Sequence, residues 1–187
     1  MNVAPDLDRR FREAAADAGL LDVAYDLTDS PVGELLVAAT DRGVCSVAFE
    51  PDRELDWLAE SFGARVLRVP RRLEPVRRQL DEYFEGRRRE FELVPDLSPV
   101  TGFQRLVLEE LAHVPFGEVT TYGALAGRIG KPSAARAVGG ALNKNPIAIV
   151  LPCHRVVGST GSLVGYAGGL DRKRALLDLE QGALTLS

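Results

Sequence analysis

The chain has 187 residues, 45% of them hydrophobic, with 23 basic and 27 acidic side chains and a formal charge of −4 at pH 7. That length carries one substantial core or two small ones, and no apolar run approaches the roughly 20 residues that cross a bilayer. Cys45 and Cys153 are the only cysteines and His113 and His154 the only histidines, which excludes a disulfide framework and leaves too few ligands for a structural zinc site. No metal or other cofactor is expected.

The charge is uneven. Met1 to Pro115 carries 15 basic and 23 acidic residues, whereas Phe116 to Ser187 carries 8 basic and 4 acidic ones, so the C-terminal part is the one suited to face DNA. Met1 to Leu20 is charged and alanine-rich, unlike a secretion signal, which predicts a cytoplasmic address and no membrane contact. In that segment Leu7, Phe11, Ala15 and Ala18 share one face of a helix stopped by Gly19, an extension over residues 1–22.

Three β-prone runs follow, Val23 to Thr28, Glu34 to Thr40 and Val44 to Phe49, joined by turns at 30–33 and 41–43, so antiparallel hairpins are expected. Cys45 lies within the third as a small core residue. Asp52 is placed to cap a helix presenting Leu55, Leu58, Ala59 and Phe62, and Val76, Leu80, Tyr83 and Phe84 mark a second helix ending at Gly86. Arg87-Arg88-Arg89 reads as a solvated turn. The stretch from Val94 to Pro99 has two prolines and little periodicity, and the boundary between a domain of residues 23–97 and one of residues 98–187 is set there.

Beyond it, Thr101 is placed to cap a helix with Phe103, Leu106, Val107 and Leu111 inward. Thr121 caps a shorter helix with Leu125, Ala126 and Ile129 inward, Gly130-Lys131-Pro132 breaks the chain, and Ser133 caps another running to about Leu142. This is a helix-turn-helix. The outward residues of its second helix are small, Ala134, Ala135, Ala137, Gly139, Gly140 and Ala141, with Arg136 the single long cation. Few side chains there reach major-groove base edges, whereas small residues let a backbone press into a minor groove.

Ile147 to Val157 reads as a buried strand running into Pro152, then Cys153, His154 and Arg155, then apolar residues again. A thiol attacks as thiolate and needs a base or a positive charge nearby; His154 and Arg155 are suited to supply either. Pro152-Cys153-His154-Arg155-Val156 resembles the active-site signature of the O6-alkylguanine-DNA alkyltransferases. Thr121-Tyr122-Gly123 and the run Ala134 to Ala141 resemble that family's helix-turn-helix, Asn145-Pro146 its hinge, and Gly165 to Leu170 its substrate-side loop.

The resemblance, covering about Val23 to Gly182, implies a ribonuclease-H-like α/β N-terminal domain with an antiparallel sheet. It implies a mostly α, winged-helix-like C-terminal domain that performs the chemistry. It makes Cys153 the acceptor of an alkyl group from O6-alkylguanine in double-stranded DNA, in a single turnover without cofactor. His154 takes the thiol proton through water or is a purely structural imidazole, and Glu180 orients His154 or is a solvated residue of the last helix. Tyr122 helps protonate guanine at N3 or is a packing residue, and Asn145 holds the hinge or merely turns the chain. Backbone groups around Val156, Val157, Gly158 and Ser159, with Tyr166, line the base pocket.

The same resemblance places Thr121, Tyr122, Ser133, Ala134, Ala135, Ala137, Gly139 and Lys144 against DNA. Arg136 fills the gap left by an extruded base, or contacts a phosphate. Lys144, Arg172, Lys173 and Arg174 are further candidates for phosphate contacts, and Asp171 is expected to cap the last helix. The protein is expected to act as a monomer, several copies of which can line one duplex. A DNA-binding module without chemistry is the first rival; the alkyltransferase-like proteins, whose acceptor cysteine is replaced, are one form of it. A cysteine hydrolase is the second.

Overall fold

In the computed structural model, which describes residues 5–182, strands β1 (Val23–Thr28), β2 (Leu35–Thr40) and β3 (Gly43–Ala48) form the expected antiparallel meander. A fourth strand, β4 (Val66–Arg68), adds to the edge of β1 in parallel, giving the order β3-β2-β1-β4. Alternation along β2 sorts its side chains by face. Leu36 and Ala38 join Val23 and Cys45 beneath helix α2 (Pro51–Phe62), which contributes Leu58 to the cluster. Leu35 and Val37 enter the larger core, shared with α3 (Glu74–Phe84), α4 (Gly102–Leu111) and the helices that follow.

Helix α1 (Pro5–Asp17) buries less than its sequence pattern promises: Ala15 and Ala16 meet the core, but Leu7, Phe11 and Ala18 are exposed. It docks by its last turn, through small alanines and the ion pair of Asp17 with Arg71. In α4 the inward residues are Val107, Leu108 and Leu111 with Phe103 half-buried, while Leu106 is exposed. Helix α2 starts two residues earlier than expected, with Glu50 as its N-cap, Pro51 in its first turn and Asp52 inside it rather than capping, where proline costs no hydrogen bond. Arg87 and Arg88 pair with Glu85 and Glu82, as residues of a surface turn do.

The helical C-terminal domain contains α5 (Tyr122–Arg128) and α6 (Ala135–Leu142), the helix-turn-helix, and ends in α7 (Leu170–Glu180). Strands β5 (Thr120–Thr121) and β6 (Val156–Val157) pair in parallel and tie the start of α5 to the residues after Cys153. Thr121 caps α5 as expected, its Oγ1 accepting from the Ala124 N–H at 3.1 Å. Ser133 does not cap α6: it is held in a turn closed by Ala134 N–H to Lys131 carbonyl, and the N-cap is Ala134. Asp171 likewise lies in the first turn of α7, behind an N-cap at Gly169 with φ 87.

The two domains meet along the outer edge of β3. Val44 exchanges backbone hydrogen bonds with Val94 and Asp96, and Val47 with Pro146 and Ala148. The segment leading to Cys153 is therefore laid on the sheet as a partial fifth strand, which both covers an exposed edge and fixes the segment's position. Gly43, at φ 147, sits where a Cβ would lie 2.0 Å from the Val94 carbonyl oxygen, so this crossing admits only glycine.

Candidate active site

The expected strand at 147–151 is instead a tight reversal. Leu151 N–H returns to the Ile147 carbonyl and Val150 N–H to that of Ala148, with buried Ile149 at φ 72. A β-branched residue in that left-handed region costs about 1–3 kcal/mol and persists only where its surroundings dictate it. Asn145 braces the reversal: its Oδ1 accepts from Ile147 N–H at 3.1 Å, and its Nδ2 donates to the Leu151 carbonyl at 2.9 Å and to Cys153 Sγ at 3.2 Å. The residue assigned to a hinge thus also holds the sulfur. Cys153 starts a single 3-10 turn, Cys153–Arg155, whose three side chains are all buried.

Glu180, at the end of α7, gathers this turn. Its Oε1 accepts from His154 Nε2 at 2.7 Å, Tyr83 Oη at 2.8 Å and Arg155 Nη2 at 2.9 Å, and its Oε2 accepts from Arg155 Nε at 2.8 Å and Gly117 N–H at 3.1 Å. Burial pushes the carboxyl up, but the hydrogen bonds from His154 and Arg155, the charge of Arg155 and, once pH is low enough to protonate it, that of His154 prevail and bring it down to about 2. Burial holds His154 below the usual imidazole value despite Glu180. A carboxylate only accepts, so a neutral His154 carries its proton on Nε2 and leaves Nδ1 as a lone-pair acceptor. That Nδ1 is buried and has no hydrogen-bond partner among the described residues. Arg155 reaches the Val114 carbonyl at 2.6 Å; its work is to hold Glu180. Of the two readings open for Glu180, the solvated one is ruled out.

Burial raises the Cys153 thiol above its ordinary value, while the Asn145 hydrogen bond and the Lys173 ammonium pull it back. Lys173 is no phosphate contact: it is fully buried, and its Nζ donates to the carbonyls of Val156 at 2.7 Å, Val164 at 2.9 Å and Gly165 at 3.4 Å. Arg172 is likewise turned inward, donating to the carbonyls of Val32 and Gly168. Tyr122 Oη lies 3.0 Å from the Val164 carbonyl and 3.2 Å from that of Gly165. Burial, then the charge of a Cys153 thiolate, raises this phenol.

Cys153 lies between two cavities. One of about 540 Å³ is walled by Tyr122, Arg136, Gly139, Asn143, Val164 and Tyr166 among others, and one of about 570 Å³ runs between the domains past Phe49, Trp57, Asn145 and Gly168. The first lies against α6, whose Ala135, Arg136, Gly139 and Gly140 line it, and reaches Cys153. Cys45, by contrast, is sealed under α2 and pushed up to about 12, chiefly by burial.

Comparison with known families agrees with this geometry. Residues 23–96 match the ribonuclease-like domain of 6-O-methylguanine DNA methyltransferase, and residues 102–182 match its DNA-binding domain. The chain belongs to this family. It is 42% identical over 166 residues to the methylated-DNA–protein-cysteine methyltransferase of Methanosarcina barkeri, covering 86% of this chain and 98% of that protein. The protein of the same name from Mycobacterium leprae is 44% identical over 158 residues, or 82% and 89% of the two chains. Among solved structures, OGT of Mycobacterium tuberculosis in complex with DNA superposes with a TM-score of 0.75 at 40% identity, covering 85% of this chain and 93% of that one.

In this methyltransferase the candidate DNA-facing residues differ in exposure. Ser133, Arg136, Ala137 and Lys144 are exposed, and Thr121, Ala134 and Ala135 are half-buried. Gly139 packs on Tyr122, whose ring carbons would lie 3.6 and 3.7 Å from an added Cβ. The expected pocket wall is brought together only in part. Tyr166 borders both cavities, but Val156 and Val157 are buried in β6, Gly158 and Ser159 follow in a turn, and none of the four lines either cavity. Of the four, Val156 is held by its carbonyl to Lys173 and Gly158 by its N–H to the Ser162 carbonyl.

Proposed function

We propose that this protein repairs DNA by moving the alkyl group of an O6-alkylguanine onto Cys153, once per protein molecule. The observation that carries this is the joining of a buried thiol, a neutral histidine and an ionised carboxylate beside a cavity that opens on the helix-turn-helix. His154 Nδ1 takes the thiol proton through water, and Glu180 steadies the imidazolium that forms. Sulfur then bonds to the alkyl carbon as the carbon–O6 bond breaks, and guanine leaves with the electron pair. Tyr122, whose raised pKa makes it reluctant to ionise, acts as a hydrogen-bond donor to guanine N3. It gives up its loop carbonyl to do so.

The base reaches Cys153 by extrusion from the duplex, with α6 in the minor groove and Arg136 filling the vacated stack. The protein acts as a monomer, with residues 23–97 and 98–187 as its two domains. The thioether left on Cys153 has no good leaving group, so turnover stops at one. Intact-mass measurement after incubation with a duplex containing O6-methylguanine is expected to show one methyl group gained per chain, and none in Cys153→Ala, which still binds the duplex. Continued repair beyond one equivalent, or a methyl group mapped to Cys45, refutes the reading.

A further inference from the structure

The loop Val164–Gly168, which carries Tyr166 past Cys153, is gripped at both ends by consecutive residues of α7. Lys173 takes the carbonyls of Val164 and Gly165. Arg172, about 100° around the helix, takes the other end: its Nη1 donates to the Gly168 carbonyl at 3.0 Å. The remaining contacts of Arg172 belong to the N-terminal domain. Its Nε donates to the Val32 carbonyl at 2.7 Å, and its guanidinium carbon lies 5.1 Å from the centroid of the Phe49 ring. Phe49 in turn meets Tyr166 edge-on, with centroids 5.9 Å apart.

The packing leaves no slack. A Cβ on Gly168 would lie 2.7 Å from two Phe49 ring carbons and 2.9 Å from Tyr166 Cε1, and one on Gly33 would lie 3.1 Å from Arg172 Nη2. The guanidinium is thus spent on two carbonyls and an aromatic face, a geometry that suits a planar fork and not a single ammonium.

We infer that Arg172 is a positioning residue, which uses the N-terminal domain as the anchor that sets Tyr166 and the loop wall beside the reacting sulfur. The inference rests on the alkyl-transfer reading above. It explains why α7 holds a second cation away from solvent and gives the N-terminal domain, through Val32 and Phe49, a part in positioning the site. Misplacing such a wall costs rate rather than DNA affinity.

Three measurements on Arg172→Ala separate the roles open to this arginine. They are the maximal rate of methyl transfer from a saturating duplex containing O6-methylguanine, the affinity for undamaged duplex, and the labelling of Cys153 by iodoacetamide, which needs the thiol but no ordered pocket. The maximal rate is expected to fall about tenfold, with affinity and labelling within about twofold of the parent protein. Arg172→Lys should recover only part of the rate. Phe49→Leu, which removes the aromatic face while keeping volume in the core, should slow transfer in the same pattern and stands in if Arg172→Ala does not fold. Weakened affinity at an unchanged maximal rate would make Arg172 a phosphate contact, and equal losses in transfer and labelling would make it a support of the thiol; either overturns the inference, as does an unchanged variant. Absence of transfer in the parent protein would instead remove the functional reading on which it rests.

Discussion

Glu180→Gln keeps the shape of a side chain that receives five hydrogen bonds and removes its charge. The new amide nitrogen faces donors wherever it lies. In place of Oε2 it meets Arg155 Nε and Gly117 N–H, and in place of Oε1 it meets His154, Tyr83 and Arg155. The lesser loss is two bonds, together with a buried guanidinium deprived of its counter-charge, for which removing one partner costs about 3–5 kcal/mol. The pH dependence gives a second, independent figure. A carboxyl lowered from 4.5 to about 2 contributes about 3 kcal/mol. Because the folded value is depressed, that contribution is complete above pH 4.5 and is lost as pH falls toward 2. Urea unfolding of the parent protein and of Glu180→Gln, followed from pH 7 to pH 2.5, should show a gap of about 3–5 kcal/mol that narrows through this window. A gap under about 1 kcal/mol at pH 7, or one that stays constant to pH 2.5, refutes the assignment of Glu180 as the centre of the buried network.

Asn145→Ala removes the Nδ2 donor to the sulfur, so the thiol value rises further; the rate of iodoacetamide labelling at pH 7 should fall about tenfold and its pH profile move upward, for a charge-assisted hydrogen bond of about 1.5 kcal/mol. An unmoved profile would confine Asn145 to the hinge. Arg136→Ala should slow transfer from an alkylated duplex by tenfold or more while leaving reaction with free O6-benzylguanine, which requires no extrusion, unchanged. Equal slowing with both substrates would place Arg136 in the active site itself, and full duplex activity in Arg136→Lys would reduce it to a phosphate contact.

The helices and the antiparallel strands were legible because their apolar spacing matches a packed face, and Cys153, His154 and Tyr122 were legible through motif likeness. What escaped did so for physical reasons. Strand β4 is three residues long and is held by parallel pairing with β1, a non-local partnership with no periodicity of its own. The apolar run 147–151 carries no period either, and its reversal depends on Asn145 and on a strained Ile149. Arg172 and Lys173 flank the family-like motifs, which makes them candidates for phosphate contacts in the sequence, and the structure turns both inward. A signal was present nonetheless. Lys173, Leu176, Leu177 and Glu180 stand at i, i+3, i+4 and i+7, the spacing of a buried stripe, so a cation and an acid occupy its two ends. Tyr83 and the Gly117 N–H had no such marker, since only the fold brings them to Glu180.

Helix α7 also bears on how the protein comes into being. Cys153 and His154 leave the ribosome before Lys173 and Glu180, the latter 26 residues after His154. In a nascent chain that stops short of α7, the imidazole has no carboxylate to fix its tautomer and the Val156 carbonyl has no ammonium to hold it. Tyr83, made long before, waits unpaired for the same carboxylate. The surroundings of the nucleophile are thus incomplete until α7 has been made, and a partial translation product that stops before Leu170 lacks the carboxylate that orients His154.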